Sequence, residues 1–87
     1  MHIGYVLLNC DLGAEEYVVE ELKHIPEVKN AYLTFGAYDI IAEVHAPTQE
    51  DFEKTVGNKI RRLSRVVSTM TLNIVNPEWL LYKKINF

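Results

Sequence analysis

The chain has 87 residues, 48% of them hydrophobic and 24% charged, and a formal net charge of −3. That length builds one small domain with a modest core, and the acidic balance gives no electrostatic footprint for nucleic acid or an anionic membrane. A single cysteine, Cys10, rules out an internal disulfide and points to a reduced, cytoplasmic setting, while no apolar run approaches the about 20 residues of a membrane span.

Residues 3–10 are apolar on both alternating faces, Tyr5 and Leu7 on one and Val6 and Leu8 on the other. A central strand buried on two sides reads this way. From Ala14 the period changes to that of a helix. Ala14, Val18, Leu22 and Ile25 form its stripe, Glu15 and Glu16 suit the positive end of its dipole, and Pro26 ends it. Residues 28–35 are the second strand, with Ala31, Leu33 and Phe35 on one face and Tyr32 and Thr34 on the other. The turn Gly36-Ala37-Tyr38-Asp39 follows, and Ile40, Ala42 and Val44 mark one face of the third strand. Thr48, with Asp51 three residues on, opens a second helix whose stripe is Phe52, Val56, Ile60 and Leu63. Residues 66–75 are the fourth strand, closed by Asn76-Pro77.

Both helical stripes run at offsets of four, four and three, and each helix lies between two strands. The chain therefore reads as a ferredoxin-like β-α-β-β-α-β fold of the α+β class. Its antiparallel sheet is expected in the order fourth, first, third, second strand, with both helices on one face and a C-terminal extension beyond. The expected division is a domain over residues 1–76 and an arm over 77–87. Two helices screen one sheet face only, yet Met70, Leu72 and Ile74 place apolar groups opposite Val67 and Val75. Face-to-face pairing of two copies is the simple remedy; a C-terminal segment folded over its own sheet is the alternative.

The topology gathers polar groups at one rim of the sheet. The Gly36–Asp39 turn, the loop after the first strand and the start of the fourth strand all arrive there. They bring backbone amides, the Tyr38 phenol, the Asp39 carboxylate and the hydroxyls of Ser68, Thr69 and Thr71. Asp39 is out of place at a strand start, and a local rule broken at one point marks a candidate site. Amides and hydroxyls bind a carboxylate, and an aspartate accepts from an ammonium group, so the inventory suits a small zwitterion. Asp39 equally suits capping of the turn backbone, and Thr69 and Thr71 are good strand residues in any case.

The segments Tyr5-Val6-Leu7-Leu8, Ile25-Pro26-Glu27-Val28, Gly36-Ala37-Tyr38-Asp39-Ile40 and Ser68-Thr69-Met70-Thr71 together resemble the effector-binding (RAM) domain of the Lrp/AsnC, or feast/famine, regulators. The resemblance spans residues 3–75. It implies a ferredoxin-like domain that dimerises through its sheet and assembles into rings of dimers, octamers or decamers. It also implies that a free amino acid binds between dimers at Gly36, Ala37, Tyr38 and Asp39, with Ser68, Thr69 and Thr71 and, more distantly, Thr34. Regulators of that family usually carry a helix-turn-helix domain that this sequence lacks. The expectation is then a stand-alone sensing domain that modulates a full-length relative and does not itself bind DNA or membrane.

No nucleophile–base pair is evident, so no enzyme, cofactor or metal is expected. A small oligomeric enzyme using Asp39 or a histidine as base, and an adaptor docking through its arm, are the competing classes. His2 and His45 can approach across neighbouring strands but read as solvated side chains. Arg61, Arg62 and Arg65 suit the negative end of the second helix. In the arm, Trp79, Leu81, Ile85 and Phe87 fall at odd positions, as for an edge-pairing strand or a tail packed on its own domain.

Overall fold

In the computed structural model, which describes residues 1–74, strand β1 (His2–Cys10) is followed by helix α1 (Glu15–Lys23), β2 (Val28–Leu33) and β3 (Ile40–Ala46). Helix α2 (Gln49–Thr55) then runs into a π-helical turn (Val56–Ile60) before β4 (Val66–Asn73). The sheet order is β2-β3-β1-β4, antiparallel throughout. This is the expected ferredoxin-like α+β arrangement, with β1 in the interior of the sheet and β2 and β4 at its edges. The calls on the arm, residues 77–87, lie outside the described residues.

Strand alternation decides what the helices cover. Val6 and Leu8 of β1 and Ala42 and Val44 of β3 are buried against Val18 and Leu22 of α1, Phe52 of α2 and Ile60 of the π-helical turn. Both predicted stripes therefore face the sheet. Thr48 caps α2, its hydroxyl accepting from the Asp51 amide at 3.1 Å. Thr48→Ala is expected to cost about 1 kcal/mol, read as a lower denaturant midpoint at unchanged slope.

The element ends differ from expectation for local reasons. Ala14 is the residue just before α1, yet it is buried with Val18 and Leu22 and so begins the stripe as expected; the helix closes at Lys23, where the His24 and Ile25 amides turn back to the Glu21 and Leu22 carbonyls. β2 stops at Leu33 because Thr34 already belongs to the turn. The second stripe continues through the π-helical turn, in which the Arg61 amide donates to the Val56 carbonyl at 2.9 Å.

Close packing beneath α2 depends on Gly4. A Cβ there would lie 2.4 Å from Phe52 Cζ and 2.8 Å from the Leu72 carbonyl oxygen. The Phe52 ring is fully buried and meets the His2 ring edge-on, with centroids 4.7 Å apart.

Candidate ligand-binding site

The β2–β3 turn is held by its own backbone and by β1. Thr34 donates its amide to the Asp39 carbonyl at 2.9 Å and its hydroxyl to the Tyr38 carbonyl at 2.8 Å. Gly36, at φ +122°, makes the reversal that a side chain would strain. The Asp39 amide donates to the Leu8 carbonyl at 2.9 Å, and its carboxylate Oδ2 accepts from the Cys10 amide at 3.0 Å. Asp39 thus ties the turn to the end of β1, which accounts for an aspartate at a strand start. Among the described residues the amides of Gly36 and Ala37 have no acceptor.

Across from this turn, α1 begins. Gly13, at φ +86°, donates its amide to Glu15 Oε2 at 3.4 Å, and the Ala14 amide turns back to the Asp11 carbonyl at 2.9 Å. Because α1 starts only at Glu15, it leaves the upper end of β2 uncovered. Leu33 is half exposed and Phe35 wholly so. The gap is an open cleft of about 620 Å³, bordered by Gly13, Glu15 and Glu16 on one side and by Leu33–Gly36 and Asp39 on the other.

The sequence-predicted residues divide between this cleft and other places. Thr34, Gly36 and Asp39 border it. Ala37 lies at the turn tip, and Tyr38 leans over the sheet, its phenol donating to Met70 Sδ at 3.5 Å. Ser68 accepts from Asn9 Nδ2 at 3.4 Å, on the face away from the helices. Thr69 and Thr71 pair with Leu8 and Val6 of β1 and so share the helix side of the sheet. There Arg61 Nε donates to the Thr69 hydroxyl at 3.0 Å, while the Thr71 hydroxyl is buried with no partner among the described residues. Ser68 and Thr69 border a separate hollow of about 290 Å³ beside Arg61, and Thr71 one of about 240 Å³ beneath Gly57. One protomer therefore does not bring the β4 hydroxyls to the large cleft. Glu15, Glu16, Leu33 and Phe35 were not among the expected site residues, although the direction of α1 places its first turn at this rim.

The sheet face away from the helices carries an apolar patch. Tyr32, Met70, Leu72 and Ile74 are each close to half exposed there, with Tyr5 and Leu7 between them. Glu43 lies within that face, accepting from Asn30 Nδ2 at 3.0 Å and bonded to His45 Nε2. The Asn30 amide first, and then the His45 ring, hold the Glu43 carboxyl below the usual carboxylate range. A lowered folded-state pKa stabilises the fold above the unfolded-state value and loses that contribution as pH falls through the folded-state one. Glu43→Gln is therefore expected to flatten the acid limb of the stability–pH curve; an unchanged slope would assign Glu43 no part in it.

The chemistry of the rim does not resemble that of a nucleophile. Partial burial, and then the Asp39 carboxylate, push the Cys10 thiol above its ordinary value, the reverse of activation. Among the described residues no group of His, Cys, Asp and Glu is placed to hold a metal ion, and no helix is long and apolar enough to cross a membrane.

Residues 4–77 match the family model described as the Lrp/AsnC ligand-binding domain. The chain belongs to that family. It is thus a ligand-binding domain of a family of transcriptional regulators and not an enzyme. An uncharacterized HTH-type transcriptional regulator of Pyrococcus furiosus is 29% identical over 72 residues, covering 79% of this chain and 48% of the relative. The chain spans about half the length of the curated relatives it matches. The crystal structure of FFRP-DM1 superposes with a TM-score of 0.83 at 33% identity, over 86% of this chain and 100% of that one. A feast or famine regulatory protein of M. tuberculosis, solved in complex with L-methionine, shares the fold with a TM-score of 0.75 at 22% identity, over 87% of this chain and 51% of that one.

Proposed function

We propose that this domain senses a free amino acid, bound in the cleft between the β2–β3 turn and the first turn of α1. The observation that carries the reading is that cleft, where Gly36, whose amide has no acceptor among the described residues, lies across from Glu15 and Glu16 on a fold of the Lrp/AsnC ligand-binding family. The amides of Gly36 and Ala37 receive the ligand carboxylate, and the acidic wall receives its ammonium group. The L-methionine complex of a protein with the same fold supports an amino acid as the ligand class.

Two copies pair through the apolar sheet face, and pairs assemble further so that the β4 hydroxyls of Ser68 and Thr69 on one pair approach the turn of another. Binding then shifts the population of assemblies, provided the ligand prefers one of them. Mixed assembly with a full-length Lrp/AsnC regulator carries the signal to DNA, and this domain makes no DNA contact itself.

The test is thermal unfolding of the full chain against each standard amino acid. A ligand at about 100 times its dissociation constant adds about 2.7 kcal/mol, a rise of about 10 °C or more for a domain of this size. A saturable rise with one or a few amino acids is the expected result, and a flat panel at millimolar ligand would overturn the reading. For the assembly, Leu72→Glu places a charge in the apolar face. It is expected to lower the sedimentation coefficient toward that of a monomer; an unchanged coefficient would remove this face as the interface.

A further inference from the structure

The cleft has an uncompensated charge that narrows the ligand class. Glu15, Glu16 and Asp39 border it, and none of its lining residues is basic. An ordinary zwitterion brings one ammonium group, which satisfies one carboxylate. Asp39 is already engaged by the Cys10 amide, and Glu15 by the Gly13 amide through one oxygen. Glu16 has neither a hydrogen bond nor an ion pair among the described residues and stands exposed at the cleft edge. The positive end of α1 explains why a helix tolerates two glutamates in its first turn. It does not explain why they border a cleft lined by no basic side chain. An amino acid with an apolar side chain offers these carboxylates its α-ammonium group alone and draws water from the rest.

The opposite wall offers what a long cationic side chain requires. Phe35 presents its whole ring to solvent, and Leu33 is half exposed beside it. A methylene stem packs along such a wall while its cationic end stays near water, and the face of a ring attracts that cation. Arg65, whose carbonyl accepts the Asp11 amide at 2.9 Å, is the basic residue tied to the β1–α1 loop, but it does not line the cleft.

We infer that the cleft selects amino acids whose side chain carries a second cation, the class of lysine, ornithine and arginine. This rests on the amino-acid-sensing reading above and adds the ligand class to it. Glu16, with Glu15, receives the side-chain cation, the stem lies on Phe35, and the Gly36 and Ala37 amides receive the carboxylate.

Calorimetric titration of the full chain with L-lysine, L-ornithine, L-arginine, L-methionine and L-norleucine tests it, norleucine having the lysine stem without the terminal ammonium group. Lysine is expected to bind about tenfold or more tighter than norleucine, with the preference shrinking as salt rises. In the double variant E15Q/E16Q the ratio of lysine to norleucine affinity should fall about fivefold. Its melting curve checks that it is folded. Norleucine or methionine binding as tightly as lysine would overturn the inference and leave the sensing reading intact. A lysine preference unchanged in E15Q/E16Q would overturn the role given to the glutamates. Silence from all five ligands would overturn the inference, and the thermal panel over all the standard amino acids would then decide the sensing reading by itself.

Discussion

Gly4→Ala is expected to lower the unfolding free energy by about 2 kcal/mol and the melting temperature by about 10 °C. The added methyl meets two different obstacles. Phe52 Cζ, 2.4 Å from the new carbon, is the far end of a side chain, but that ring is fully buried and has nowhere to retreat. The Leu72 carbonyl, at 2.8 Å, is backbone, and moving it spreads the pairing of β1 with β4. Shrinking the ring relieves only the first. Phe52→Leu combined with Gly4→Ala should therefore be less damaging than the two single losses added together, yet still short of the stability of Phe52→Leu alone. Strictly additive losses would show that the methyl and the ring do not compete for the same space.

At Asp39, alanine and asparagine are expected to part company. Asp39→Ala leaves the partly buried Cys10 amide without its acceptor and should cost about 1–3 kcal/mol. Asp39→Asn retains a carbonyl oxygen in the same place and should stay within about 0.5 kcal/mol of the parent. Chemical denaturation separates them. The asparagine variant then becomes the instrument for ligand binding, because it removes the charge and spares the turn. If Asp39 contributes to an ammonium contact, Asp39→Asn weakens amino-acid binding at unchanged stability. An unchanged affinity would leave Asp39 solely as the clasp between the turn and β1.

The elements that the sequence revealed are those governed by period. Val6 and Leu8 against Tyr5 and Leu7 announced a strand buried on two sides, and the matching stripes of the two helices announced the repeated β-α-β unit. Strand order followed from these. The π-helical turn was hidden, because Phe52, Val56 and Ile60 reach the core whether the backbone closes its bonds four or five residues back. Thr69 and Thr71 were visible as hydroxyls, but their side of the sheet depends on register against Leu8 and Val6. Their parity, opposite to Met70 and Leu72, held that information. Glu15 and Glu16 were absorbed by the helix dipole, since nothing local says that α1 begins too late to cover Leu33 and Phe35. Asp39 stood out as a broken rule, and the Cys10 amide is the partner that sequence alone does not name.

The place of β1 has a consequence for how the chain acquires its shape. The N-terminal strand pairs with β3 on one side and β4 on the other, and Gly4 finds its partner Asn73 close to the end of the described chain. Loop closures this long precede any return from the sheet they complete, so refolding from denaturant should be slower than for a helical bundle of equal length. A nascent chain that has not yet released β4 has a first strand with one edge open. Any truncation before Val66 leaves the same open edge, and with it a template for the wrong strand.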